Sequence, residues 1–582
     1  MLILLAAAPT LTAQHYTLTL PAPNDPAPNG RWFGQGCGPV PGDFPQVWVS
    51  PQLLPGRTSM MTLENLPASS FAMLLLGTSA EAWGAVPLPQ PLDPLGAPGC
   101  ALYVAPDAQL AFPTGPGAVT VPVSVPLQPA LAAQPLFCQL LYGHPGNALG
   151  LGLGNGYATR IGGMPTPTTW VSSISQHGVT FQFAQPVEAG RFANGDWFVV
   201  GPVTVSGMTP PCAVQNGRTI HGAMVDPDPS TQDHGYDSTL FDPQHYSNAR
   251  NAAWNLSAQN PLTLGPNHCL VKAISNFDPN LMPALDTCAV LTVVDVVPPE
   301  GSFRPAYGGD HVVRHAVDQI DWNVLQNLVA APGMPDLATT IAGFERPWLD
   351  HAPGWATRFM HPVQNMPDYG RDLAAAYNEA ALMCQTAGNL SLRKQLATHL
   401  VQIGIDFYGN LEGGASWEGV GGHGSGRKFP ILFAGALLGD VEMLRVGHDY
   451  VSGHQPNGQS STYFGEDCQT FYVEQTGPNE FNWGHGGYSS AHVGLPEFGF
   501  SHAHYPQNDD VVWTGNSYRQ CCTANAWIGA VLCTRILGLV DEWNHPALFD
   551  YTDRYASIEA TGWTMSWKPW VEDMWTVYRP QF

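Results

Sequence analysis

The chain has 582 residues, of which 44% are hydrophobic and only 12% charged, and its formal net charge at pH 7 is −24. This length predicts about two or three domains, and the hydrophobic content excludes a largely disordered protein. An acidic surface repels phosphate backbones and anionic lipids, so the composition excludes nucleic acid and membrane insertion from the expected functions.

The chain begins with the apolar run MLILLAAAPTLTAQ, residues 1–14. A short apolar segment that ends in small residues is typical of a secretory signal peptide, and this one is too short to span a bilayer. We therefore expect a secreted, extracellular protein. Eleven cysteines in an exported chain predict some disulfides, with one thiol left over.

Residues 15–163 contain short apolar runs broken by Pro and Gly, which predicts an all-β module. Cys37 and Cys100 both follow turns with glycine and are expected to pair. The segments FGQGC, LLLGTS, PLDPLGAPGC and GNALGLGLGNG resemble a small β module common in secreted bacterial proteins. The resemblance implies export and an accessory role, and it implies no chemistry.

The linker MPTPTT, residues 164–169, precedes a second strand-rich segment over 170–300. Its β-branched runs between turns predict a β-sandwich. One disulfide is plausible among its three cysteines, which are Cys212, Cys269 and Cys288.

From about residue 310 to 582 the apolar period changes to that of helices. Ser391 and Asp440 are predicted N-caps, and Pro430 is predicted in the first turn of an inner helix. A long helix is expected over about 518–538, with Cys521 and Cys522 as buried structural thiols. Helix pairs joined by short loops favour an antiparallel α/α arrangement.

The predicted fold class is therefore multidomain α+β, with an N-terminal all-β module, a central β-sandwich and a C-terminal helical domain. β modules joined to an α/α domain in an exported chain resemble multidomain polysaccharide-processing enzymes, above all polysaccharide lyases. The resemblance implies an (α/α) toroid-like catalytic domain with a groove for the glycan.

The first candidate site precedes a predicted helix, in the segment RFMHPVQNMPDYGRDLAAAYNE over 358–379. β-Elimination on a uronic acid needs a base, and it needs donors that stabilise the charge developing on the carboxylate. Tyr and His can supply the base, and Asn, Arg and His the donors. The segment holds both kinds, namely His361, Asn365, Tyr369 and Arg371. In the simpler interpretation, Asp368 only caps the helix and Arg371 only pairs with an acid.

The second candidate site is the stretch ASWEGVGGHGSGRK, residues 415–428. Glycines allow close backbone approach to a ligand, so we expect His423 and Arg427 to grip a glycan carboxylate. Trp417 is expected to stack on a sugar face, with Glu418 as an acid beside it. A plain turn with a solvated Arg-Lys pair is the alternative.

The third set lies in a glycine-, histidine- and aromatic-rich stretch over 447–515, with its continuation to 522. Long loops of this kind are usually functional. Two histidines and an aspartate here could ligate calcium or zinc, although no HExxH pattern is present, and otherwise no cofactor is expected. The substrate-binding candidates are Glu466, Asp467, His485, Tyr488, Tyr518 and Arg519, and the weak metal candidates are His502, His504 and Asp509.

These features predict a secreted enzyme that cleaves a uronic-acid polysaccharide by β-elimination, with an anionic glycan as its partner. A glycoside hydrolase is the first alternative, with its carboxylate pair drawn from Asp368, Glu418, Glu466, Asp467 and Glu497. A non-catalytic extracellular glycan-binding protein is the second. The C-terminal tryptophans line either a sugar groove or the core, and they are Trp563, Trp567, Trp570 and Trp575.

Overall fold

The structure is a computed structural model of the chain. It describes residues 31–37, 45–49, 53–66, 71–113, 117–239, 245–352, 354–419, 421–452, 463–481, 488–499, 518–558 and 565–582. The predicted signal peptide, His485, His502, His504 and Asp509 lie outside these ranges. The chain contacts define two compact units, Met1–Thr166 and Pro167–Phe582. The strand-rich and helical segments, predicted as separate domains, both lie in the second unit.

The two largest sheets described in the first unit are antiparallel, and both contribute to one apolar core. Cys37 and Cys100 form the expected disulfide, which is confirmed. The five-stranded sheet has the order Arg31–Phe33, Leu151–Arg160, Pro135–Gly143, Phe71–Gly77 and Ala108–Pro113. The three-stranded sheet has the order Gly117–Ser124, Thr58–Leu66 and Gln46–Val49.

The second unit begins with an eight-stranded sheet, in which Thr169–Gln176 pairs with Val179–Arg191 outside the main path. One pair, Trp197–Val200 with Leu285–Val294, is parallel. The main path has the order Ala223–Val225, His268–Ser275, Leu285–Val294, Trp197–Val200, Val179–Arg191, Val203–Thr209 and Leu262–Leu264.

The cysteines of this sheet are not bonded to one another. Cys269 lies opposite Thr292, and Cys288 lies opposite Ala273, so the register keeps the two thiols apart on neighbouring strands. Cys212 is also free. The disulfide considered plausible among these three residues is therefore wrong.

Helices dominate the rest of the second unit. Asp440 caps a helix as predicted, since its side chain accepts from the amides of Glu442 and Met443. Asn389, and not Ser391, caps the helix Leu390–Glu412. The described α-helices are Leu337–Ala342, Gly370–Cys384, Leu390–Glu412, Lys428–Leu438, Val441–Leu444, Val446–Asp449, Gly465–Gln469, Tyr518–Cys521, Ala524–Leu537, Val540–Trp543, Pro546–Ile558 and Pro569–Tyr578.

A buried ion cluster joins the sheet to the helices. Arg304 donates to Asp196, which follows the strand Val179–Arg191, at 2.7 Å from Nε to Oδ2. It also donates to both oxygens of Asp406, on the helix Leu390–Glu412, at 2.9 and 2.6 Å. All three side chains are buried. Because breaking such a cluster leaves an unpaired buried charge, it fixes the helix against the sheet.

Candidate functional site

The first two candidate segments meet at the start of the helix Gly370–Cys384. The amide of Gly422 donates to the hydroxyl oxygen of Tyr369 at 3.1 Å. A Cβ on Gly370 would lie 2.2 Å from the carbonyl oxygen of His423, so only glycine permits this approach. The structure therefore brings Tyr369 and His423 together, although they are far apart in sequence.

A surface of alternating aromatic and arginine side chains runs across this junction, and we call it the aromatic–arginine strip. Arg358 lies 4.5 Å from the ring centroid of Trp355 and 5.0 Å from that of Tyr369. Arg371 lies 5.5 Å from the ring of Tyr369 and 3.6 Å from that of Trp567. Trp355 and Trp567 are 40% and 42% exposed, so the strip presents two aromatic faces to solvent.

Both arginines of the strip also have acidic partners. Arg358 donates to Asp368 at 2.6 Å, and Arg371 donates to the adjacent Asp372 at 2.9 and 3.0 Å. Arg371 also donates to the carbonyl of Cys521. The Nε of Arg358 is buried and has no hydrogen-bond partner among the described residues. Sequence reasoning missed Trp355 and Arg358, although a Trp and an Arg three residues apart before the candidate loop were a usable signal.

His423 lies beside the strip. Its ring packs edge-on against Trp355, with centroids 5.3 Å apart, and its Nε2 is 3.8 Å from Oε1 of Glu418. Interaction with His423 lowers the pKa of Glu418. The Nε2 of His423 has no hydrogen-bond partner within the described ranges, and the Glu418 side chain is 43% exposed. The two side chains therefore lie together next to an exposed tryptophan.

The glycines of the loop serve packing within the protein. A Cβ on Gly422 would lie 1.9 Å from the carbonyl oxygen of Cys522. Gly426 has φ of 95°, and its Cβ would lie 2.7 Å from Ala374. The sequence interpretation assigned these glycines to close ligand approach, whereas the structure presses the loop against backbone.

Arg427 and His361 lie beneath the surface, on either side of Asp350. Arg427 donates to Asp350 at 2.7 Å, and His361 lies 3.1 Å from the other carboxylate oxygen. None of the three side chains is exposed. Burial alone would raise the pKa of Asp350, but Arg427 and His361 together hold it well below its usual value. The expected contact of Arg427 with a substrate carboxylate is thus corrected, because its guanidinium is already paired within the interior.

The other candidates of the first two segments also face the protein. Asn365 donates to the carbonyls of Arg346 and Pro347 at 3.2 and 3.5 Å. Trp417 is 2% exposed and stacks on Phe464, with centroids 6.1 Å apart. It is a core residue, so the expected stacking of a sugar on Trp417 is not available.

Two further acidic groups of the third set are interior. Asp467 pairs with Lys428 and accepts from the indole of Trp543 at 2.8 Å. Burial, reinforced by Asp467, raises the pKa of Glu466 to about 7. Because both carboxyls are buried, neither is placed to bind a glycan directly.

The remaining members of that set form a separate buried cluster. Glu497 accepts from Tyr488 at 3.2 Å and from Arg519 at 3.4 Å, and it also pairs with Arg554. The backbone of Tyr518 begins the helix Tyr518–Cys521, and its side chain lies outside the described part. None of these contacts reaches a member of the aromatic–arginine strip in the described chain.

A histidine cluster that sequence reasoning missed lies in the same unit. His234 and His351 are 2% and 0% exposed, and no nitrogen of either ring has a hydrogen-bond partner among the described residues. The ring of Tyr236 contacts both imidazoles, with centroids 6.3 and 5.8 Å away. Burial lowers the pKa of His234 to about 3 and that of His351 to about 4. Both imidazoles are therefore neutral at physiological pH.

Over the described ranges, no group of three or more His, Cys, Asp or Glu side chains is arranged to hold a metal ion. Within the same ranges, no helix combines the length and apolar character needed to cross a membrane. The C-terminal tryptophans divide between roles, since Trp570 and Trp575 are buried and Trp567 is exposed, while Trp563 lies outside the described residues. The chain matches no protein-family model and, at a significant level, no curated protein.

Proposed function

We propose that the protein cleaves a uronic-acid polysaccharide by β-elimination at the aromatic–arginine strip. The observation that supports this most directly is the position of Tyr369, whose ring centroid is 5.0 Å from the guanidinium group of Arg358 and 5.5 Å from that of Arg371. A phenol flanked by positive charge, with an imidazole in the adjoining loop, supplies the two kinds of group that β-elimination needs.

In the proposed reaction, Tyr369 as its phenolate removes the proton from C5 of the uronic acid. The electron pair moves into the carboxylate, where the positive charge of Arg358 stabilises the developing negative charge. The C4–O4 bond then breaks, a C4=C5 double bond forms, and the leaving oxygen takes the proton that Tyr369 removed from C5. His423 is the second candidate base, and its Nε2, which is buried beside the exposed Trp355, has no hydrogen-bond partner in the described chain.

The two exposed tryptophans support a polymeric substrate. Aromatic faces stack on sugar rings, and Trp355 and Trp567 stand at opposite ends of a connected series of contacts. A glycan of more than one sugar unit could therefore contact both. The anionic character of the substrate rests on Arg358 and Arg371, since the chain as a whole is acidic.

The architecture and location that go with this function are also proposals. We propose that the helical part is an (α/α) toroid-like catalytic domain, that the strand-rich part is a β-sandwich, and that the N-terminal unit is an accessory module. The wholly buried apolar face of Lys428–Leu438 supports an inner helix of such a domain. The Cys37–Cys100 disulfide supports export, because structural disulfides persist in oxidising compartments.

A glycoside hydrolase remains the second candidate, and one observation favours it. Asp368 and Glu418 are partly exposed, at 32% and 43% of their side chains, and each is linked to the strip through Arg358 or His423. They are the two acids of the original set that a glycan at the strip can reach. A binding protein without catalysis is the third candidate, since exposed Trp355 and Trp567 offer faces for stacking on sugar rings.

The deciding experiment is an assay of the full chain on alginate, polygalacturonate, hyaluronan and heparan sulfate. β-Elimination gives the ultraviolet absorbance of a double bond conjugated to a carboxylate, whereas hydrolysis gives reducing ends without it. Tyr369→Phe is expected to lower turnover by roughly 10²–10⁴-fold, and Arg358→Lys by about 10²-fold. Tyr450→Phe, whose ring packs on Tyr463, is the matched control and should retain turnover.

The outcomes separate the three candidates. Reducing ends without absorbance, abolished by Glu418→Gln or Asp368→Asn, would replace the lyase by the hydrolase. Binding to a polymer without either product would leave the non-catalytic function. Full activity in Tyr369→Phe and His423→Ala would contradict the proposed site even if the absorbance appeared.

A further inference from the structure

Two adjacent cysteines interrupt the helical segment that was expected to be continuous over 518–538. The helix Tyr518–Cys521 ends at the first cysteine, and the next helix begins at Ala524. The sulfurs of Cys521 and Cys522 are 2.6 Å apart. Both residues are partly exposed and neither is bonded elsewhere, so they differ from the buried structural thiols that the sequence suggested.

The pair is in direct contact with the aromatic–arginine strip. A hydrogen bond joins Tyr369 to the sulfur of Cys522. Arg371 donates to the carbonyl oxygen of Cys521. The carbonyl of Cys522 also packs against Gly422, where a Cβ would come within 1.9 Å of it. A change in the two sulfurs therefore reaches both segments of the candidate site.

The surroundings make one of the two thiols reactive. A hydrogen bond from Cys522 lowers the pKa of the Cys521 thiol, and the charge of Arg371 acts in the same direction. The same interaction, with desolvation, raises the pKa of Cys522. A thiolate is the nucleophile in disulfide exchange, so Cys521 is the attacking group.

We propose that Cys521 and Cys522 are a redox-active vicinal pair that closes to a disulfide and, through Tyr369, modulates the candidate site. The oxidant is a low-molecular-weight disulfide, such as oxidised glutathione. The Cys521 thiolate attacks one sulfur of it and releases one thiolate, which leaves a mixed disulfide on Cys521. The Cys522 thiol then loses its proton, attacks the Cys521 sulfur and releases the second thiol. The protein loses two electrons and two protons, and the small disulfide is reduced to two thiols.

The closed form is expected to reopen easily. Adjacent Cα atoms are about 3.8 Å apart, whereas ordinary disulfides span roughly 4.4–6.8 Å. Strained and accessible disulfides have the more oxidising potentials typical of reversible pairs. Cys384, by contrast, lies buried and away from this pair. Burial raises the pKa of its thiol to about 12, so this thiol is inert.

Tyr369 and the redox state are coupled in both directions. A hydrogen bond from the Tyr369 hydroxyl favours the thiolate form of Cys522, so it stabilises the reduced pair over the disulfide. By linkage, closing the disulfide must weaken the hydrogen bond between the Cys522 sulfur and Tyr369 by the same factor. The redox step is independent of the proposed function. Only an effect of the redox state on turnover rests on the proposed function.

The first test is titration of the full chain in glutathione redox buffers, followed by acid quenching, alkylation and peptide mapping. We expect a Cys521–Cys522 disulfide that appears in oxidising buffer and disappears in reducing buffer. Cys522→Ser should stop at a glutathione adduct on Cys521, and Cys212→Ser, a partly exposed single thiol, should leave the midpoint unchanged. The proposal is overturned if both cysteines of the wild-type protein are alkylated in every buffer. It is also overturned if the reaction ends at glutathione adducts and no Cys521–Cys522 disulfide forms.

The second test measures the coupling without any substrate. Tyr369→Phe should shift the midpoint toward more reducing buffer by roughly fivefold in the glutathione ratio, the effect of one typical hydrogen bond. An unchanged midpoint would overturn the link to the candidate site. Because both readouts are covalent chemistry of the chain, an absence of lyase activity affects neither result.

Discussion

The Nε of Arg427 donates to Oδ2 of Asp350 at 2.7 Å, and neither side chain is exposed to solvent. The same guanidinium donates to the carbonyls of His423 and Ser425 at 2.6 and 2.7 Å. Arg427 thus holds the loop that carries His423 against the protein interior. Arg427 acts on the candidate site through His423, because its own positive charge is paired with Asp350.

Replacement of Arg427 by lysine should therefore act mainly by lowering the stability of the fold. Lysine keeps the charge but cannot reproduce three donor directions, so part of the Asp350 network is left unpaired. We expect the free energy of unfolding to fall by about 3 kcal/mol, the lower end for a broken buried pair. Urea unfolding followed by tryptophan fluorescence measures this.

The control for that experiment is Arg445→Lys. Arg445 and Asp449 form an exposed pair one helical turn apart, at 3.0 Å, and such pairs contribute about 0.5 kcal/mol or less. A wild-type unfolding curve for Arg427→Lys together with lost turnover would instead restore the original interpretation of Arg427 as a substrate ligand.

Glu466 should make stability depend on pH. Its pKa in the fold is raised to about 7 by burial and by Asp467, from an ordinary value of 4.5. Between these two values the folded state keeps a proton that the unfolded state has lost, so the free energy of unfolding falls as pH rises through this window. Above it, both states are ionised and the folded state bears the full cost of a buried charge.

Glu466→Gln should remove this dependence and should be more stable than the wild type at about pH 8, by roughly 3 kcal/mol. Thermal or urea unfolding from about pH 4 to pH 8 tests this. Glu480→Gln, at an exposed position, is the matched control and should follow the wild-type curve. Parallel pH profiles for the wild type and Glu466→Gln would show that Glu466 is not the titrating group.

Local patterns in the sequence predicted several elements, because their causes are local. Asp440 caps its helix by bonding amides two and three residues ahead, which a sequence shows directly. The partner of Arg427 is 77 residues away, so nothing near the Arg-Lys pair distinguishes a buried guanidinium from a solvated one. The meeting of Tyr369 with Gly422 depends likewise on a tertiary contact, which only the fold defines.

The confirmed disulfide of the first unit should stabilise that unit in particular. Cys37 and Cys100 close a loop with a sequence separation of 63. A disulfide that closes a loop typically stabilises the folded state by about 2–4 kcal/mol. Cys100→Ser should accelerate hydrogen exchange at the amide of Leu153, which donates to the Cys37 sulfur at 3.2 Å. Exchange in the helix Leu390–Glu412 should not change. Equal protection of Leu153 with and without the disulfide would contradict the expectation.

The exposed ends of the aromatic–arginine strip provide the most direct test of glycan binding. Trp355 and Trp567 are 40% and 42% exposed, and each lies against an arginine of the strip. Trp355→Ala and Trp567→Ala should each weaken binding of an oligosaccharide from the best polymer by about tenfold, because each change removes one stacking face. Isothermal titration calorimetry measures this in the full chain. Trp170→Ala is the matched control, because Trp170 is 70% exposed on a strand of the same unit and should leave affinity unchanged. If all three variants bind like the wild type, the glycan does not lie on the strip, and the catalytic assignment of Tyr369 loses its support as well.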